Sequence, residues 1–188
     1  MSERGPAANV LHGVVRLALF RSDGFAAFGA TPLAFLNSLA PLLAFPLVGG
    51  AMLLLSGSLR AAAADLLASI VALLAPAVFS HTLAALWKRE ALWLRYAVAF
   101  NWCQAAITLA TVLLVALVGT ITMGRPEGLQ TVLGSVVALL CYWLVLCWFM
   151  ARRGLQISGP KAVLFVLVMN FGTAVLVVGP RVLLATLR

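Results

Sequence analysis

Apolar residues fill long blocks of this sequence, and polar residues gather in short clusters between them. No charge occurs from Gly24 to Leu59, a stretch longer than the roughly 20 residues that one bilayer crossing needs. Pro32 suits the first turn of a helix, which places the first span at Pro32–Leu55. Pro41 and Pro46 fall inside it, and each removes a backbone donor and crowds the preceding turn. A kinked helix is expected; the rival is a re-entrant hairpin, which needs protein or water around its exposed backbone. Four more blocks follow at Asp65–Trp87, with Pro76 as another kink, Tyr96–Ile121, Leu129–Ala151 and Ala162–Val178. Their short connections imply antiparallel neighbours and leave no room for a soluble domain between them. The fold expected is all-α: a polytopic transmembrane bundle of about five helices over residues 32–188.

Residues 1–31 form a separate N-terminal segment. Met1–Ala8 is polar and reads as disordered. From Asn9 to Phe20 the apolar residues are interrupted by His12 and Arg16, one turn apart on a shared face. The apolar length is too short to span, which predicts an amphipathic helix lying in the membrane interface. A secretory signal peptide would carry an uninterrupted apolar core ending at small residues. Arg16 and Arg21 break that pattern.

Composition agrees with the blocks. The chain of 188 residues is 64% hydrophobic and 10% charged, against about 25% charged in soluble domains. The net charge of +8 would suit nucleic acid if the basic residues formed one face. They sit instead in short clusters between spans, where lipid headgroups are the natural partner. Arg4, Arg16, Arg21, Lys88, Arg89, Arg95, Arg152, Arg153 and Lys161 fall on one side of a five-span topology, and Arg60, Arg125, Arg181 and Arg188 on the other. The cytoplasmic side normally carries the excess, so the N-terminus is expected in the cytoplasm and the C-terminus outside. A re-entrant first block would destroy this alternation. Trp87, Trp93 and Tyr96 flank the second loop, and Trp143 and Trp148 precede Arg152, as amphipathic rings at headgroup level do.

Few residues offer chemistry. Asn101, Gln104, Thr108 and Thr111 recur at helical spacing in the third span, and amides turned to lipid would go unsatisfied. That face should point inward, either as interhelical hydrogen bonds or as the lining of a polar route. His81 is ionisable within the second span, which makes it a functional candidate. No carboxylate accompanies it at that depth, which favours a hydrogen-bonded structural histidine. Ala61, Ala64, Ala68, Ala72 and Ala75 form a small-residue stripe on the same span, suited to close helix packing or self-association. Asp65 opens that span, where a helix N-terminus stabilises a carboxylate, and Asn170 in the fifth span reads as helix glue. Cys103, Cys141 and Cys147 lie within apolar runs, and with two distant histidines no metal site is expected. Nothing pairs a nucleophile with a base or builds a phosphate-cradling loop, so neither enzyme activity nor a cofactor is expected.

Two stretches carry a family resemblance. Gly13–Pro41, GVVRLALFRSDGFAAFGATPLAFLNSLAP, is an amphipathic segment leading into a proline-bearing span. Tyr142–Val166, YWLVLCWFMARRGLQISGPKAVLFV, joins an aromatic-rich span through a basic loop to the last span. The chain resembles a bacterial member of the Yip family, the five-span proteins named for interaction with Ypt/Rab GTPases. The resemblance implies a place in a bacterial cytoplasmic membrane. For eukaryotic members it implies vesicle trafficking and membrane shaping, but this chain has no long cytoplasmic N-terminal domain for GTPase contacts. A fold is carried over, and no active residue. The expected function is non-catalytic: a scaffold, membrane organiser or complex subunit working through helix contacts with lipid, other membrane proteins or itself. The alternative is a small transporter or channel with a polar route lined by the third span. A lipid-handling enzyme ranks third, with Glu90, Arg152 and Arg153 at the interface but no catalytic constellation.

Overall fold

The computed structural model describes residues 6–55 and 59–186. Helix α1 spans Pro6–Ala18 and is followed by a short 310 helix at Ser22–Ala27. Five long helices follow: α2 at Pro32–Leu55, α3 at Leu59–Leu86, α4 at Glu90–Ile121, α5 at Gly128–Gly154 and α6 at Gly159–Thr186. All five are long and apolar enough to cross a membrane, and the chain is an all-helical integral membrane protein. The start of α1 corrects one expectation. Its helix begins at Pro6, ahead of Asn9, because proline's fixed φ suits a first turn whose N–H would be unpaired anyway. Met1–Gly5, the rest of the expected disordered segment, lie outside the described residues.

The helix α2 continues unbroken through Pro41 and Pro46 and packs against α3 and α4. Around the rest of the bundle α3 touches α4, α4 touches α5, α5 touches α6, and α6 returns to α3. Helix α1 crosses α4 and α5 at the end where α3 turns into α4 and α5 into α6. Three chain reversals at this end use one device. Phe20, Lys88 and Gln156 follow α1, α3 and α5 with φ of 57°, 56° and 52°. A left-handed residue just past a helix lets the chain fold back onto its last carbonyls. Thus the Arg21 amide donates to the Arg16 carbonyl at 2.9 Å, and the Arg89 amide to the Ala84 carbonyl at 2.7 Å.

Packing is concentrated at the α1 end. In α4 the buried residues run from Tyr96 to Ala105, and in α5 nearly all lie between Leu146 and Ala151. Leu17 of α1, Phe25 of the 310 helix, Phe28 just after it, and Leu155 and Phe165 join them in one core. Toward the opposite end Leu113, Leu117, Leu133 and Val137 are exposed, and hydrocarbon is the medium that accepts such a surface. Two glycines permit close crossings. A Cβ on Gly13 would lie 2.7 Å from the Ala27 Cβ and 2.8 Å from the Phe28 ring, and one on Gly172 would lie 2.8 Å from the Phe79 ring where α6 meets α3.

Candidate functional site

The polar residues of α4 do not share one environment. Asn101 is buried and turns to α2, where its Nδ2 donates to Ser38 Oγ at 2.9 Å. Ser38 in turn donates to the Phe35 carbonyl at 2.7 Å. This is the interhelical bond that joins α4 to α2. Asn101→Leu should therefore lower stability by about 0.6–2 kcal/mol, the usual value of such a bond in a membrane, read as an earlier midpoint in a denaturing-detergent titration. Thr108 and Thr111 hydrogen-bond backward within α4, to the Gln104 carbonyl at 2.9 Å and the Ile107 carbonyl at 2.7 Å. Such back-bonding satisfies a hydroxyl without a neighbour.

Gln104, about 60° further around α4 than Asn101, lines a cavity of about 370 Å³ with Pro76, Trp143, Asn170 and Thr173. Asn170 donates to the Val166 carbonyl at 2.8 Å and Thr173 to the Met169 carbonyl at 2.6 Å, both within α6. Asn170, read from sequence as glue between helices, thus bonds within its own helix. His81 belongs to neither group. It is exposed on α3 with its ring edge-on to Trp93 at 4.7 Å. The Trp93 indole N–H donates to Ser80 Oγ at 3.0 Å.

The alanine stripe on α3 also divides. Ala75 is buried and Ala72 lines the Gln104 cavity, whereas Ala64 is exposed. Ala68 is half-buried, and the side chains of Ala61 and Asp65 lie outside the described ones. Among the described residues no group of three His, Cys, Asp or Glu side chains could hold a metal. Cys103 and Cys147 are buried, and Cys141 is exposed along α5.

At the α1 end, charges and rings tie the interfacial pieces together. Arg16 pairs with Asp23, and Arg21 lies 3.8 Å from the same carboxylate. The Tyr142 hydroxyl donates to the Ala18 carbonyl at 2.6 Å, pinning the end of α1 onto α5. Arg152 stacks over Trp148 at 5.3 Å, and Lys161 over Trp87 at 5.8 Å. With its inner face docked, α1 leaves Leu11 and Val15 on its outer face, continued by Leu19 in the turn just past it, 66%, 49% and 66% exposed. Comparison with protein-family models, curated proteins and solved structures returns no match.

Sequence reasoning missed Ser38 and Tyr142 as partners in these arrangements. For Ser38 a signal existed, since Asn37–Ser38 interrupts an otherwise apolar block. The Ala18 carbonyl had none, because a backbone acceptor is the same at every residue.

Proposed function

We propose that this chain is a non-catalytic membrane protein that works through helix contacts, as a scaffold, membrane organiser or complex subunit with a Yip-like arrangement. The observation that carries this reading is α1. A helix docked on the bundle that still presents Leu11 and Val15 one turn apart, with Leu19 continuing the ridge just past its end, has a second apolar face to bury. At the level of the interface that face meets lipid or the helix of a neighbour. The bond from Tyr142 to the Ala18 carbonyl holds the end of α1 against α5. The excess of lysine and arginine at this end supports a cytoplasmic α1, with the C-terminus outside; the bacterial cytoplasmic membrane is what the Yip-like resemblance implies.

A photo-crosslinking side chain placed in turn at Leu11, Val15 and Leu19 in native membranes tests this. A discrete adduct, either with a second copy or with one membrane partner, is expected from at least one ridge position. Diffuse lipid products alone, with monomers persisting after mild extraction, would contradict it. A small transporter or channel is the second reading, and the cavity that reaches Gln104 favours it.

A further inference from the structure

Helices α3 to α6 form a closed ring of contacts in which the backbones of the opposite pairs, α3 with α5 and α4 with α6, stand apart, and at the α1 end Tyr96 of α4 bridges to Phe165 and Met169 of α6. The space between them is the cavity of about 370 Å³, walled by side chains from all four helices. It lies deep in the spans. Gln104 is about 21 Å of helix from Glu90, and Asn170 about 16 Å from Gly159, at the usual rise per residue.

Hydrogen-bonding groups converge there without full pairing. The Gln104 amide has two N–H donors and a carbonyl acceptor, and none bonds a described residue. Asn170, exposed at the α6 rim of the cavity, uses one N–H on the Val166 carbonyl, which leaves its amide oxygen. Pro76 has no N–H to offer the Ala72 carbonyl one turn earlier, and both residues line the cavity. Unpaired amides and a freed carbonyl at membrane depth are costly in hydrocarbon, and they persist where backbone and side chains border a water-filled space.

The cavity ends toward α1. Phe100 packs against Trp143 at 5.5 Å, and the Tyr96 hydroxyl donates to the Met169 sulfur at 3.7 Å. Behind that floor Tyr96 and Phe165 are fully buried. Val177 and Val178 of α6 extend the wall toward the opposite end.

We propose that this cavity is a hydrated binding site for a small uncharged molecule carrying both donors and acceptors, of the amide or urea class, entered from the end opposite α1. Among the described residues no ionisable side chain lines it, so a charged ligand would lose its hydration without a countercharge. The volume holds on the order of ten waters at about 30 Å³ each, enough for such a molecule with part of its shell. The site stands or falls independently of the contacts made by α1.

The test uses reconstituted protein with Cys103, Cys141 and Cys147 replaced by alanine and a single Thr173→Cys. A membrane-impermeant cationic methanethiosulfonate added on the side opposite α1 should modify this thiol, whereas Val175→Cys on the exposed side of α6 should stay unmodified. Acetamide should slow the Thr173→Cys reaction several-fold, and adding Gln104→Leu should abolish that protection. Thermal midpoints of each variant confirm that the fold is kept. A Thr173→Cys thiol that stays unreactive in folded protein overturns the hydrated cavity, as does equal reaction from the α1 side. Modification that acetamide does not slow overturns the binding site.

Discussion

Tyr96→Ala should destabilise the protein by about 2–3 kcal/mol. The ring is fully buried between Phe100 at 5.9 Å and Phe165 at 5.5 Å, and its hydroxyl reaches the Met169 sulfur. It also touches Gly154, where an added Cβ would lie 3.1 Å from it, so one side chain joins α4, α5 and α6. In a water-soluble core such a truncation loses transfer free energy and leaves a cavity as well. Lipid tails are as apolar as the core, so here the transfer part shrinks. The cavity part remains, about 24 cal/mol for each Å³ of the roughly 100 Å³ removed. Tyr96→Phe keeps the ring and gives up a weak O–H to sulfur contact, and should stay within about 0.5 kcal/mol of the parent chain. Reversible unfolding in mixed detergent reads both. Equal midpoints for Tyr96→Ala and Tyr96→Phe would mean that this end of the bundle does not carry its stability.

Gly13→Leu should release α1 from the bundle while leaving the five spans in place. A Cβ at position 13 meets the Ala27 Cβ and the Phe28 ring within 3 Å, and Phe28 is only 3% exposed and has nowhere to move. Overpacking of this kind costs about 1–3 kcal/mol. The smallest unit that can relieve it is α1 with its turn, held by the Arg16–Asp23 pair and the Tyr142 bond. Local opening should rise about tenfold for every 1.4 kcal/mol lost, so trypsin should cleave after Arg21 about tenfold faster or more. Gly119→Ala is the control, because nothing lies within 4 Å of a Cβ there. It should leave the cleavage rate unchanged. An unaltered rate in Gly13→Leu would show that α1 is not seated on the 310 turn.

The five spans were legible because hydropathy marks where the chain meets hydrocarbon. It marks helix ends poorly. The second block was expected from Asp65, yet α3 begins at Leu59; the third from Tyr96, yet α4 begins at Glu90. Backbone hydrogen bonding continues past the apolar edge into the headgroup layer. The reversals after α1, α3 and α5 were hidden for another reason: the left-handed positions hold Phe20, Lys88 and Gln156, where glycine would be the expected signal. Phe20 is held there by ring contacts with Tyr142 and Phe149 of α5.

The polar stripe of α4 was legible as residues and illegible as a site. Residues three apart are separated by roughly 60° around a helix, so Asn101 can reach Ser38 of α2 while Gln104 points between α3 and α6. Spacing along one helix cannot say which neighbour lies on each side. The small-residue stripe divides for the same reason, with Ala75 inside the bundle and Ala64 outside.

The most direct test of the topology labels both chain ends from one side. Reporter fusions at the N-terminus and at the C-terminus, each active on one side of the membrane, should report opposite sides, with the N-terminus sharing the side of Lys88 and Arg152. Both ends on the same side would require an even number of crossings and contradict a bundle of five spanning helices.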